Sequence, residues 1–392
     1  MSALRNPRVL IAVGGFPPAI HAGGPAVSLD NLCHATRGAL DCSVVTSDHD
    51  LKSSERLPGI EAGWNARDGF RVRYLSDAAL DLATLQTIVQ EVEPDVLYLN
   101  SLFAARWTMP LLKIGRDRSI PVLLAPRGEL CANALRQKKY KKIPYLFLLN
   151  PFLKREGVYY HATSDNEFDC IREILKIGEE RIFRISEIPT LPLKRFERHG
   201  KLPGTLRCVF LSRIHPTKNL LGALEALANV RAEVTFDIYG PIEVPAYWDE
   251  CQRRVASLPR NVRVHYRGVV GRDAIHETFA SHDVFLFPTL TENYGHVIPE
   301  AMLADCPVIL SDQAPWTDVN EAYAGWSLAL DDMRAFTAAL QSIADMGDAE
   351  YGQLTGNVRR YIQNKLKIQE ITHAYVNCFE KITGTAASLI AP

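Results

Sequence analysis

Short apolar runs alternate with amphipathic stretches along most of the chain. Arg8 to Gly14 (RVLIAVG) is a continuous apolar run, as expected of a strand buried on both faces of a parallel sheet. A Gly/Pro-rich loop follows, and the pattern predicts a helix over Pro25 to Gly38. Asp41 to Ser47, Asp95 to Asn100 and Pro121 to Ala125 read as further strands separated by helical stretches. The alternation restarts after Leu202. Leu206 to Ser212 is a strand, and Lys218 to Val230 a helix whose Leu220, Leu221, Leu224 and Leu227 share one face. Val234 to Tyr239, closed by Gly240, then Val262 to Tyr266, Val284 to Phe287 and Val308 to Leu310 continue the series. Between the two series, Ser186 to Gly204 carries three prolines and reads as a linker. The expected fold is α/β, with two doubly wound parallel sheets on either side of about residue 195. In such sheets ligands bind beyond the carboxyl ends of the strands, so the residues just after each strand are where chemistry belongs.

Composition narrows the possibilities. The 392 residues exceed what one ordinary core holds, which supports two domains. A net charge of -1, from 44 basic and 45 acidic residues, argues against a general nucleic-acid binder. Eight cysteines, Cys33, Cys42, Cys131, Cys170, Cys208, Cys251, Cys306 and Cys378, are dispersed with no CxxC pair. They read as reduced core residues of a cytosolic protein, with no zinc or redox motif. The first residues lack a signal-peptide pattern, and no run has membrane-spanning length. No His/Asp cluster has metal spacing, and no Ser–His–Asp order stands out.

Three segments combine polar residues with strand ends. The first runs from Gly14-Gly15 to Gly23-Gly24-Pro25 and opens the first helix. Gly23 and Gly24 let backbone approach a phosphate at a helix N-terminus, although the spacing is not GxGxxG and a plain glycine-rich turn reads the same. The second, Ser212-Arg213 to Lys218-Asn219, places two cations five residues apart at a strand end, suited to clamp a diphosphate. Its bland reading is a solvated loop. The third, Phe287 to Met302, holds Glu292 in a loop and Glu300 in the first turn of a helix begun near Ile298, with Asn293, Tyr294, Gly295 and His296 between them. Carboxylates accept hydrogen bonds from vicinal hydroxyls of a ribose or sugar. The alternative is a buried loop with ordinary acids.

Glu292 and Glu300 in E-x7-E spacing, the Glu300-Ala301-Met302 and Cys306-Pro307-Val308-Ile309 stretches, the Arg213/Lys218 segment and the glycine loop together resemble the retaining glycosyltransferases of family 4, also called glycosyltransferase group 1. The resemblance implies the GT-B fold, two Rossmann-like doubly wound domains facing a central cleft. It implies an acceptor-side domain over 1–190, a nucleotide-sugar domain over 191–367, and a last helix at about 368–392 crossing back onto the first. By resemblance, Glu292 holds the transferred sugar and Glu300 the ribose. Arg213 and Lys218 neutralise the diphosphate without a metal ion. Gly23, Gly24, Gly240 and Asn293 to His296 line the donor. The nucleotide diphosphate sugar is then a substrate rather than a cofactor, and the acceptor a polysaccharide or lipid-linked glycan. Rival readings are another GT-B enzyme, an epimerase or phosphorylase, and a silent sugar-nucleotide-binding subunit.

The chain departs from the family in places. Ala125-Pro126-Arg127-Gly128-Glu129 carries a cation where relatives often have a sugar-facing His, making Arg127 a candidate sugar contact. His161 is a second such candidate, with a structural histidine as its alternative. Ser164 reads as a helix cap, and Trp107, Trp248 and Trp316 as packing residues. Arg136, Lys138, Lys139, Lys141 and Lys142 form a cationic cluster ahead of Tyr145 to Leu149. An anionic membrane attracts each such charge by roughly 1 kcal/mol. A cytoplasmic protein with a peripheral site on the inner membrane face is one expectation, a solvated helix face followed by a core segment the other.

Overall fold

The computed structural model describes residues 5–20, 22–51, 53–136, 139–192, 194, 196, 198–271 and 274–384. The chain divides into two compact units, Met1–Ile188 with Ile368–Pro392, and Pro189–Lys367.

Among the described residues, the first unit holds an eight-stranded sheet in the order β3-β4-β2-β1-β5-β6-β7-β8. Its strands are β1 (Arg8–Ala12), β2 (Asp41–Ser47), β3 (Trp64–Arg67), β4 (Phe70–Leu75), β5 (Val96–Asn100), β6 (Val122–Ala125), β7 (Val158–Ala162) and β8 (Ile182–Arg184). All pair in parallel except β3 with β4. Its helices are α1 (Gly23–Ala35), α2 (Leu82–Val92), α3 (Ala105–Asp117), α4 (Ala132–Arg136), α5 (Lys139–Leu153) and α6 (Asp165–Leu175). Strand alternation splits the core in two. Leu10, Leu97 and Leu99 face the cluster formed with α2, α3 and α6. Val9, Ile11 and Tyr98 face the opposite cluster, with α1.

The β3–β4 hairpin was not among the expected strands. Its signal is present: Asp68-Gly69 joins Arg67 to Phe70, and Gly69 takes φ +88. Phe70, Val72 and Tyr74 alternate inward between arginines, which lowered the apolar density that marked the other strands.

The second unit holds, among the described residues, a parallel six-stranded sheet in the order β11-β10-β9-β12-β13-β14. The strands are β9 (Thr205–Leu211), β10 (Glu233–Tyr239), β11 (Val262–Gly268), β12 (Val284–Phe287), β13 (Val308–Ser311) and β14 (Gly325–Leu328). The helices are α7 (Leu220–Leu227), α8 (Pro245–Ala256), α9 (Ile275–Ala280), α10 (Val297–Leu303), α11 (Met333–Asp345) and α12 (Asp348–Lys365). From β9 the chain winds outward through β10 to β11, then returns to β12 on the other flank of β9. The crevice between β9 and β12 is thus the topological switch point, where open α/β sheets bind ligands. In the first unit the same reversal falls between β1 and β5.

The last helix, α13 (Ile368–Thr383), belongs to the first unit. Tyr375, Cys378, Phe379 and Ile382 enter the core cluster that contains Val9 and Tyr98. Phe379 is fully buried and meets the Tyr98 ring edge-on, 5.7 Å between centroids. Tyr98 and Phe379, far apart in sequence, thereby share one core. Phe379→Ala should destabilise the first unit by about 3–5 kcal/mol through lost burial and the cavity left behind. Urea unfolding followed by tyrosine and tryptophan fluorescence measures it; a loss under about 1 kcal/mol would show that the helix is dispensable.

Candidate functional site

The segment after β9 is not one long helix. Pro216–Lys218 forms a 3-10 turn whose first N–H groups include Thr217 N, bonded to His215 Nδ1 at 3.2 Å. Asn219 then takes left-handed backbone, φ +56, and its side chain caps α7 by accepting from Gly222 N at 3.1 Å. This break moves Lys218 off the helix that the sequence pattern assigned to it, onto the rim of the sheet.

The loop after β12 is fastened to that turn. Leu290 N and Thr289 Oγ1 both donate to Thr217 O, at 2.8 and 3.0 Å. Asn219 Nδ2 donates to Pro288 O at 2.9 Å. Ser311 Oγ, at the end of β13, donates to Thr289 O at 2.5 Å. These bonds bring Lys218 Nζ to 2.6 Å from Glu292 Oε2, with the cation 5.6 Å over the Phe287 ring. Both side chains are mostly buried, 12% and 15% exposed. Two of the expected site residues therefore meet as a largely desolvated ion pair at the switch point.

Glycine is obligatory at two places here. Gly295 has φ +74, and a Cβ on it would lie 2.9 Å from Glu292 Cγ and from Ile298 Cδ1. Gly240, at the end of β10, has φ +135, and a Cβ there would lie 1.8 Å from Ser212 O. The turn around Gly295 leads into α10, and Glu300 sits in its first turn, 4% exposed. An acid at a helix start is favoured by the dipole. Tyr294 and His296 pack ring against ring at 4.9 Å, and Tyr294 packs on Trp316 at 5.6 Å. Trp316 Nε1 donates to Tyr294 O at 2.7 Å, so a residue read as packing also holds the site loop in place.

Arg213 follows β9 and pairs with Glu243 at 2.6 Å. Glu243 was missed by the sequence reading: it follows Gly240-Pro241-Ile242 in a loop with no motif to mark it. The bridge between Ile214 and Ile242, with Ile214 N bonded to Pro241 O at 2.8 Å, sets it opposite Arg213.

The first-unit candidates stand differently. Gly23, φ +74, and Gly24 open α1 next to the β1/β5 switch point, with no side-chain cap on the helix. Arg127 and His161, the candidate acceptor-side or sugar contacts, both lie buried. Arg127 takes left-handed backbone, φ +56, which turns its side chain inward to 6% exposure. Its guanidinium is used up by Glu187, by Asn100 Oδ1 at 2.7 and 3.1 Å, and by Tyr98 Oη at 3.2 Å. Burial opposes its charge, but Tyr98 and Glu187 outweigh that and raise its pKa. His161 is fully buried. Its Nε2 donates to Ile185 O at 2.8 Å, so Nδ1 accepts from Tyr98 Oη at 2.7 Å. Burial and the neighbouring Arg127 push its pKa down to about 3, keeping the ring neutral.

The cysteine expectation also needs correction. Cys131 and Cys170 are joined across a sequence separation of 39, tying the residue before α4 to α6. A scan for near-neighbour pairs has no access to such a pairing. The other cysteines, among the described residues, are free and buried. Of the cationic cluster, Lys138 and the side chain of Lys139 lie outside the described residues. Lys141 lies 5.8 Å from the Tyr140 ring. Lys142 Nζ donates to Ala134 O at 2.7 Å and covers the Phe103 ring at 4.8 Å. No described helix is long and apolar enough to cross a membrane.

With this geometry in hand, known proteins supply a class. Residues 205–346, the body of the second unit, match the family described as Glycosyl transferases group 1. The whole fold is similar to that of Anabaena Alr3699/HepE, solved with UDP and glucose: TM-score 0.71 at 14% identity, over 96% of this chain and 100% of that one. It is also similar to WaaG, a glycosyltransferase involved in lipopolysaccharide biosynthesis: TM-score 0.65 at 15% identity, over 96% and 100%. An uncharacterised 41.2 kDa protein in the cps region of Klebsiella pneumoniae is 21% identical over 378 residues, 91% of this chain and 96% of that protein. The fold is that of the GT-B glycosyltransferases. The match to glycosyl transferases group 1 covers residues 205–346, and Lys218 and Glu292 both lie inside it.

His161 gives a pH prediction. Its folded pKa of about 3 lies below the ordinary 6.5, so only the unfolded chain takes up this proton as pH falls below 6.5. Its contribution is full above 6.5 and is lost on acidification toward about 3. Buried His276, lowered to about 4, acts in the same direction. The melting temperature should fall on acidification through this window, and less steeply in His161→Gln. Parallel curves for the two proteins would show that His161 is not held neutral.

Proposed function

We propose that the second unit binds a nucleotide diphosphate sugar at the β9/β12 crevice, and that the chain transfers the sugar with retention of configuration to a glycan or lipid-linked glycan. The observation that carries this reading is the Lys218–Glu292 pair at 2.6 Å. A mostly desolvated cation and carboxylate at a switch point form a place-holder for a ligand bearing both an anion and hydroxyls. An arriving diphosphate takes Lys218 and Arg213, which carry the leaving group's charge themselves. Glu292 is thereby released to accept hydrogen bonds from the sugar, while Glu300 accepts from the ribose. Backbone between Asn293 and His296 approaches the sugar where Gly295 thins the wall. Catalysis on this account comes from positioning and from stabilising the departing diphosphate, and no side chain of the site acts as a covalent nucleophile.

The neighbours support the setting. HepE was solved with UDP and glucose, and the Klebsiella relative lies in a cps region, which favours a role in cell-surface polysaccharide biosynthesis.

The donor is found by thermal-shift screening with GDP-, UDP-, ADP- and dTDP-sugars, because only a ligand of the folded state raises the transition. With that donor and a glycan acceptor, Glu292→Ala should lower turnover by about 10²–10³-fold while the melting transition stays sharp. Unchanged turnover would overturn the assignment. Donor consumed without acceptor would indicate an epimerase, and dependence on inorganic phosphate a phosphorylase.

A further inference from the structure

Helix α5 (Lys139–Leu153) is apolar on both faces. Its inner face buries Leu149 and Leu153 against the first unit's core, with Tyr145, Leu146 and Phe152 packed alongside. Its outer face exposes Tyr140, Ile143, Phe147 and Leu148, at 74%, 46%, 79% and 66%. Those positions fall at i, i+3, i+7 and i+8, one continuous stripe, and the exposed prolines at 144 and 151 extend it. A helix apolar all round is normally buried, because a solvated face gains nothing from such side chains. A contiguous exposed stripe of this kind marks an interaction surface.

The charges around it say what covers it. From Glu129 to Glu156 the chain carries seven lysines and arginines and no acid between those two glutamates, although the whole chain has a net charge of -1. Lys141 and Lys142 lie on α5 itself. A segment whose charge is all of one sign finds its complement in an external anion. A second copy of this chain would bring two equally cationic segments face to face, so the charge opposes self-association through the stripe.

We propose that α5 is an interfacial anchor. Tyr140, Ile143, Phe147 and Leu148 enter the headgroup–acyl boundary of a bilayer, and Lys141 meets anionic lipid headgroups. Lys142 is committed inward, to Ala134 O and the Phe103 ring, and supports the helix rather than the lipid. The anchor rests on the exposed stripe and its charge, not on the reading of the donor site, so either stands without the other.

The test is co-sedimentation of the full chain with vesicles of phosphatidylcholine alone or mixed with phosphatidylglycerol. Recovery is expected with the anionic vesicles only, and should decline as salt is raised. Phe147→Ser/Leu148→Ser should weaken vesicle affinity at least about tenfold, with an unchanged melting temperature because both residues are solvent-exposed. Lys141→Ala should weaken the preference for anionic lipid. Recovery from neither vesicle, equal recovery from both, or serine variants that bind like the parent would overturn the proposal. So would a dimer in sedimentation velocity that the serine variants dissociate, which would assign the stripe to a second copy.

Discussion

Everything proposed for the second unit depends on a cation and a carboxylate being held together at the point where its sheet changes direction. Lys218 and Glu292 are 74 residues apart in sequence. Their meeting follows from topology, since β9 and β12 are neighbours only because the chain winds outward from β9 and then returns to its other flank. It follows also from a short list of backbone bonds. Thr217 O takes two donors from the β12 loop, and Asn219 both caps α7 and reaches Pro288 O. Withdrawing two charges from water is costly, and their mutual attraction offsets this only in good geometry. On the proposed reading, an incoming diphosphate replaces the attraction that Glu292 supplies.

The first unit solves a related problem in the opposite manner. Arg127 is turned into the sheet by left-handed backbone and surrounded by Glu187, Asn100 and Tyr98, while His161 beside it stays neutral. Removing any one partner would leave a buried charge or a buried donor unmatched, which is where the large penalties arise. This network stiffens the carboxyl ends of β5, β6 and β7, and α13 covers it with Tyr375 and Phe379. Polar residues at strand ends therefore divide into two kinds. In the second unit Lys218 and Glu292 meet at the switch point, 12% and 15% exposed. In the first, the two chosen from sequence lie inside.

The alternation of apolar runs was legible because strands buried on both faces leave a continuous hydrophobic record, and the loops after β9 and β12 were legible because their cations, carboxylates and glycines are crowded into short spans. What escaped has physical reasons. Alternating arginines hid β3 and β4 despite the Asp68-Gly69 turn between them. Glu243 carries no local mark, and only the Ile214–Ile242 bridge sets it beside Arg213. Inward rotation of Arg127 depends on a backbone dihedral that composition does not encode. The sulfurs of Cys131 and Cys170 meet through tertiary packing alone. Periodicity could not separate the two faces of α5, since both are apolar and only exposure distinguishes them.

The central claim is that the Lys218–Glu292 pair occupies the place of a nucleotide diphosphate sugar. The most direct measurement is a crystal structure of the chain with the donor or its nucleoside diphosphate bound. The account predicts diphosphate density at the β9/β12 crevice, Lys218 Nζ moved from Glu292 onto a phosphate oxygen, and Arg213 drawn from Glu243 toward the same group. Ligand bound elsewhere, with the Lys218–Glu292 pair intact at its present 2.6 Å, would contradict it.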